Sequence, residues 1–325
     1  MVQTLRMTRA VWALCCLALI APMVASAQAP VVIHESFPSK VATFWPSFVA
    51  QAQGFYSKQG LQVEDLVVDP NVTVSTLIGG SVEVSFADST QLLLALEKGA
   101  NLVAVGIETD KNPYKLMSPS AIKKIADLKG KRIGVASAID IYTYVAKEIL
   151  RKGGLDPEKD VEWIVGGGQN QRLTAIIGGA IQAGFFTPPS DARLAAQGFN
   201  TLAFAPDYFP DLTLSATTVK RDWAQAHPDV LRKFLQAQSD AVKWLYLPAN
   251  KSRALEILQE ATRSSPTEAE SAYEYYVGKH VFPANACVTR PGLENVVKIM
   301  RQTGQVKMLT AADVSKFTDT EWCPK

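Results

Sequence analysis

Apolar and polar positions along this chain follow one pattern that occurs twice. Residues 75–105 run through apolar positions at helical spacing, the pair Gly79-Gly80, a short apolar run, the polar loop Ala87-Asp88-Ser89-Thr90, an amphipathic stretch closed by Gly99, and a second apolar run. Residues 174–204 repeat that order at an offset of 99 positions without a gap. Gly178 and Gly179 answer Gly79 and Gly80, Phe185 answers Phe86, Gly198 answers Gly99, and Asn200 answers Asn101. Each copy predicts a glycine-closed helix end, a buried strand, a loop, a helix and another strand. The loops at 87–90 and 186–189 fall at equivalent places in two similar halves, which is the geometry of a cleft between two lobes.

The flanking pattern completes both halves. A β-branched run at 31–36 predicts a first strand, and Phe44, Trp45, Phe48, Val49 and Ala52 mark one face of the helix after it. A second strand is expected near 66–68 and a helix at 72–78. The polar stretch 108–113 breaks the periodicity and predicts a crossing between lobes. The pattern restarts with a strand at 133–135, a helix at about 139–152 and a strand at 161–165. Residues 208–218 are expected to carry the chain back, and helical spacing dominates from 221 onward. Alternating strands and helices predict an α/β fold of two lobes, each a mostly parallel sheet flanked by helices. The expected organisation is residues 1–27 as a signal peptide, 28–112 as the first lobe, 113–216 as the second, and 217–325 as a mostly helical return to the first.

The first residues support export. Arg6 and Arg9 form a basic start, residues 10–20 a short apolar run, and Ala25-Ser26-Ala27 a cleavage site, with the mature chain beginning near Gln28. Removing those two arginines from 33 basic residues leaves 31, against 31 acidic ones, so no basic stripe for nucleic acid is implied. Cys287 and Cys323 remain after cleavage, and an exported pair either forms a disulfide or stays as two thiols. His34, His227 and His280 stand too far apart to suggest a metal site, and no metal or cofactor is expected.

Ligands of open α/β sheets sit beyond the carboxyl ends of the strands. That rule selects Ser39, Phe44, Trp45, Asn71, Asp88, Ser89 and Thr90 in the first lobe, and Ser137, Tyr142, Gln169, Asn170 and Thr187 in the second. Hydroxyls, amides and aromatic faces of this kind bind a small polar molecule. Ser89, Thr90 and Ser137 serve either as helix N-caps or as ligand contacts, and Phe44 and Trp45 are either core or, for Trp45 before Pro46 at a helix start, placed to stack on a planar group. Asp88 either receives an amino or amidine group or bridges to a basic residue such as Lys40. Gly166-Gly167-Gly168 lacks dinucleotide and P-loop spacing and reads as a polar loop. The cleft loops are expected to hold no arginine. No Gly-x-Ser-x-Gly, His-Glu-x-x-His or Cys-x-x-Cys motif is present, so no catalytic residue is assigned.

Residues 46–50, Gly54-Phe55-Tyr56, Gly60-Leu61-Gln62-Val63, Gly79-Gly80 with the run 82–86, and 127–135 together resemble the periplasmic substrate-binding proteins of ABC importers, in the nitrate, sulfonate, taurine and thiamine-pyrimidine precursor group. The resemblance implies a type II periplasmic-binding-protein fold whose lobes close on a ligand and present it to an inner-membrane permease with its ATPase. It also implies a pocket at the loop after the first strand, at 88–90, near Ser137 and at Thr187. The expected function is a monomeric periplasmic receptor for a sulfonate, aromatic carboxylate or aminopyrimidine. The alternatives are an enzyme on the same fold, desulfinase-like or pyrimidine-forming, and a periplasmic sensor. The chain lacks the cysteine-rich motif of yeast-type pyrimidine synthases.

Overall fold

The structure is a computed structural model that describes residues 29–109 and 111–324. The signal peptide expected at 1–27 lies outside the described residues. Ten strands follow in chain order: β1 (Val31–Phe37), β2 (Leu61–Val67), β3 (Val84–Asp88), β4 (Leu102–Ile107), β5 (Lys115–Ser118), β6 (Lys131–Val135), β7 (Val161–Val165), β8 (Ala183–Phe186), β9 (Asn200–Phe204) and β10 (Ser215–Lys220). The first lobe carries α1 (Trp45–Ala52), α2 (Phe55–Lys58), α3 (Thr73–Ile78) and α4 (Ser89–Glu97). The second carries α5 (Ile141–Lys152), α6 (Gln169–Ile177) and α7 (Ser190–Ala196). The return segment forms α8 (Arg221–Ala226), α9 (Pro228–Leu245), α10 (Lys251–Thr262), α11 (Pro266–Tyr276), α12 (Pro291–Gln302) and α13 (Val314–Phe317).

Two five-stranded sheets result, with orders β2-β1-β3-β10-β4 and β7-β6-β8-β5-β9. The sequence repeat is visible as α3-β3-α4-β4 in one lobe and α6-β8-α7-β9 in the other. β1 runs parallel to β2 and β3, and β6 parallel to β7 and β8. The fourth strand of each sheet runs antiparallel and comes from a crossing: β10 lies between β3 and β4, and β5 between β8 and β9.

Two expectations shift accordingly. The first strand of the second lobe is β5 rather than the one at 133–135, because Lys115–Ser118 pairs with both β8 and β9 immediately after the crossing. β2 begins at Leu61 rather than near Leu66, because it pairs with β1 from Val31↔Leu61 to Phe37↔Val67. A left-handed Gly60, φ 72°, makes the turn that permits so early a start.

The return segment packs on the first lobe. Phe234, Leu235, Leu258 and Tyr276 from α9, α10 and α11 join Phe37, Trp45 and Val49 in one core, while Leu293, Val296 and Val297 of α12 join Leu92 and Leu93 of α4 in another. Across the cleft, Arg193 of α7 donates Nε to Glu268 Oε1 at 2.7 Å and Nη2 to Glu268 Oε2 at 2.8 Å. The lobes therefore touch through a forked ion pair on the rim. A disulfide joins Cys287 to Cys323, whose Cα atoms are 5.7 Å apart and whose sequence separation is 36. Reducing that bond should lower the unfolding free energy by about 2–4 kcal/mol. Denaturant titrations of oxidised protein and of a Cys287→Ala/Cys323→Ala variant would check it, and equal midpoints would contradict it.

Candidate functional site

Between the sheets lies a cavity of about 80 Å³ bounded by the loop after β1, the ends of β3 and β10, and the second-lobe strands and α6. That is room on the order of five to eight waters. Phe44 and Phe86 form its first-lobe wall, and Tyr114, Tyr142 and Phe185 its second-lobe wall. Tyr114 and Tyr142 lie 4.0 Å apart between ring centroids. Tyr142 is held in place by donating its hydroxyl to Asn112 Oδ1 at 2.9 Å, at the first crossing.

The polar groups are placed by helix ends. Asp88 ends β3 and caps α4: its Oδ1 accepts the N–H of Thr90 at 2.9 Å and of Gln91 at 3.1 Å. Its other oxygen has no partner among the described residues and borders the cavity. Asp140 does the same for α5, accepting the N–H of Ser137 at 2.7 Å and of Thr143 at 2.8 Å. Burial pushes the Asp88 carboxyl up to about 7, and the Asp140 charge adds to the rise against the pull of the Gln91 and Thr90 N–H groups. Asp140 is likewise raised, mainly by burial. Nearby, Glu108 at the end of β4 accepts from Ser215 Oγ at 2.5 Å and from Thr217 Oγ1 at 3.2 Å, and burial pushes it up to about 7.

Gln169 opens α6 and is locked by three bonds. Its Oε1 accepts the Thr187 N–H at 3.0 Å and the Thr187 hydroxyl at 3.1 Å, while its Nε2 donates to Ser190 Oγ at 3.1 Å. One turn on, Arg172 lines the cavity, 5% exposed, and donates Nη1 to the Gly167 carbonyl. The three glycines before α6 make this arrangement possible. A Cβ on Gly166 would lie 3.1 Å from Arg172 Cγ, and one on Gly168 would lie 2.9 Å from Gln171 Oε1, the far end of a side chain that can swing away, and 3.1 Å from the Pro38 carbonyl of the opposite lobe, which cannot. The loop is thus a close-approach surface, for the arginine on one side and for the other lobe on the other.

Of the residues selected from the sequence, Ser39, Phe44, Asp88, Tyr142 and Gln169 border the cavity. Trp45 does not: it is wholly buried in the first-lobe core, edge-on to Tyr273, because it opens α1 on the face packed against the return helices. Asn71 lies in a surface turn, donating to Asp69. Ser89 and Thr90 are buried in the first turn of α4 behind Asp88, which takes the capping role expected of them. Ser137 gives its N–H to Asp140, the actual cap of α5, and does not border the cavity. Asn170 borders an outer groove beside Lys40, and Thr187 stands behind Gln169. Lys40 pairs with Asp65 at 3.4 Å rather than with Asp88.

Arg172 brings an arginine to the cavity from α6 rather than from a cleft loop. It sits three positions after Gln169, so the first turn of α6 presents both on one face. Asp140 and Tyr114 also went unselected. An acid just before a helical stretch was the available signal for Asp140, and an aromatic at the crossing the one for Tyr114.

Two outcomes follow. Gly168→Ala should weaken ligand binding severalfold by calorimetry while leaving the unfolding midpoint nearly unchanged, since the Pro38 contact exists only between lobes. An equal loss of stability would mean the glycine serves the loop itself. The Asp88 carboxyl has its folded pKa at about 7, above its ordinary 3.8, so the folded state keeps a proton that the unfolded chain has released. Stability of the ligand-free protein should therefore fall as pH rises from about 4 to about 7. The fall should be shallower in Asp88→Asn, which keeps the cap oxygen, and parallel pH profiles of the two proteins would contradict this.

Residues 42–250 match the family described as "NMT1/THI5 like". A Haemophilus influenzae chain named "Putative thiamine biosynthesis protein" is 29% identical over 167 residues, covering 50% of this chain and 52% of its own; the chain thus spans about half the length of that relative. The fold is shared with the alkanesulfonate-binding protein SsuA of Xanthomonas axonopodis pv. citri, at TM-score 0.72 and 16% identity over 90% of this chain and 98% of the other. It is shared as well with the desulfurization enzyme DSZB, at TM-score 0.64 and 16% identity over 90% and 97%. Fold alone therefore accommodates both binding and turnover. The family match runs from the loop after β1 to the helices behind the first sheet, more than half of the sequence, and the chain belongs to the NMT1/THI5-like family.

Proposed function

We propose that this chain is the exported, monomeric receptor of an ABC importer, which closes on a small planar molecule and delivers it to a membrane permease. Among the described residues bordering the cavity there is no cysteine, histidine or lysine. The Asp88 carboxyl is tied to the Thr90 and Gln91 backbone N–H groups as a helix cap. Both features favour capture over turnover. Aromatic walls from both lobes suit a flat ring, and contacts from both lobes make closure depend on the ligand.

The observation that carries the ligand class is the free oxygen of Asp88. With its pKa at about 7 the Asp88 carboxyl gives up its proton to a cationic or N–H-donating partner, and once ionised it repels a bare sulfonate, so a nitrogen-bearing ring, as in the aminopyrimidine class, suits the site better. The matching test is a thermal-shift screen of the chain from Gln28 onward against aminopyrimidines, aromatic amines, alkanesulfonates and nitrate. At a hundred times its dissociation constant, a ligand adds about 2.7 kcal/mol, a rise of several degrees. Nitrogen-bearing rings should give that rise, and Asp88→Asn should reduce it. A rise with sulfonates alone would overturn the role given to Asp88, and no rise with any class would overturn the receptor reading.

A further inference from the structure

The cavity has a second pole opposite Asp88. Arg172 carries five N–H donors, of which the described residues satisfy one, at the Gly167 carbonyl. Its Nε is fully enclosed and has no partner. The nearest acid does not fill the gap. Asp140 acts on Arg172 through its charge, but it spends its oxygens on the Ser137 and Thr143 N–H groups and the Thr143 hydroxyl and takes no hydrogen bond from the guanidinium. A guanidinium enclosed with most of its donors idle calls for a planar acceptor that takes two N–H groups at once, which is the geometry of a carboxylate.

Asp88 on the first lobe and Arg172 on the second therefore present complementary demands across one small aromatic slot. From this we infer, building on the receptor reading, that the ligand is amphoteric: a single flat ring with an N–H-donating nitrogen at one edge for Asp88 and a carboxylate at the other for Arg172. Closure over a ligand with one pole missing leaves either the carboxylate or the guanidinium enclosed without its partner. Each pole thus acts as a selectivity filter, and the two filters belong to different lobes. A molecule satisfying only one lobe can dock on it without holding the other.

Calorimetry with the full mature chain tests this on a matched set: 3- and 4-aminobenzoate and aminopyridine carboxylates, against aniline, benzoate and a neutral aminopyrimidine. At least one amino acid ring should bind tenfold or more tightly than both of its single-pole relatives. The advantage of the amino group should vanish in Asp88→Asn, and that of the carboxylate in Arg172→Gln, with Arg172→Lys recovering only part because it lacks the fork. Melting curves establish that the variants fold, and the two-ligand comparison within wild type stands if one does not. Benzoate binding as tightly as aminobenzoate, or the aminopyrimidine binding more tightly than every carboxylate, would overturn the amphoteric ligand while leaving the receptor in place. Silence from this set together with the sulfonates and nitrate would overturn both.

Discussion

The antiparallel strand delivered by each crossing is the constraint on which the structure depends. β3 and β4 do not pair with each other; β10 fills the place between them, and β5 does the same between β8 and β9. The first sheet is not continuous until the chain has passed to the other lobe and back, and the second is built around the strand that arrives straight from the first crossing. The crossings are thereby pinned at the centre of the sheets rather than at their edges. Glu108, Asn112 and Ser215 sit on or beside them, where Glu108 bonds Ser215 and Asn112 receives the Tyr142 hydroxyl. Ser215 also stands opposite Asp88 in the β10–β3 ladder. The crossings and the groups around the cavity are consequently joined by single hydrogen bonds.

The repeat at an offset of 99 was the most legible feature of the sequence, because glycine closures and apolar runs are local signals and both lobes use them alike. β5 was not legible. Four residues after a polar stretch carry no alternation, and only pairing on both sides makes them a strand. The same limit applied at the site. Strand ends identified the right loops, yet side-chain direction decided the occupants: Trp45 turned into the core, and Arg172 was brought in from one turn along α6.

Capping chemistry explains the remaining differences. Ser89, Thr90 and Ser137 are good capping types, but the helices start with Asp88 and Asp140, whose carboxylates accept two N–H groups each. A carboxylate at a helix N-terminus is stabilised by the helix dipole. Burial raises the proton affinity of both Asp88 and Asp140, and the Asp140 charge raises that of Asp88 further. The capping choice that makes good helix starts also gives the cleft its acidic character.

The disulfide bears on a different hazard. β4 is the outer strand of its sheet, and outer strands with free carbonyls recruit strands from other molecules. Here Val288 N–H bonds the Val105 carbonyl at 3.2 Å and Asp319 N–H bonds the Ala104 carbonyl at 3.0 Å. Those two short segments flank the bridge between Cys287 and Cys323. Oxidation therefore fastens a cover over one of the two outer strands of the first sheet, where self-association could otherwise begin.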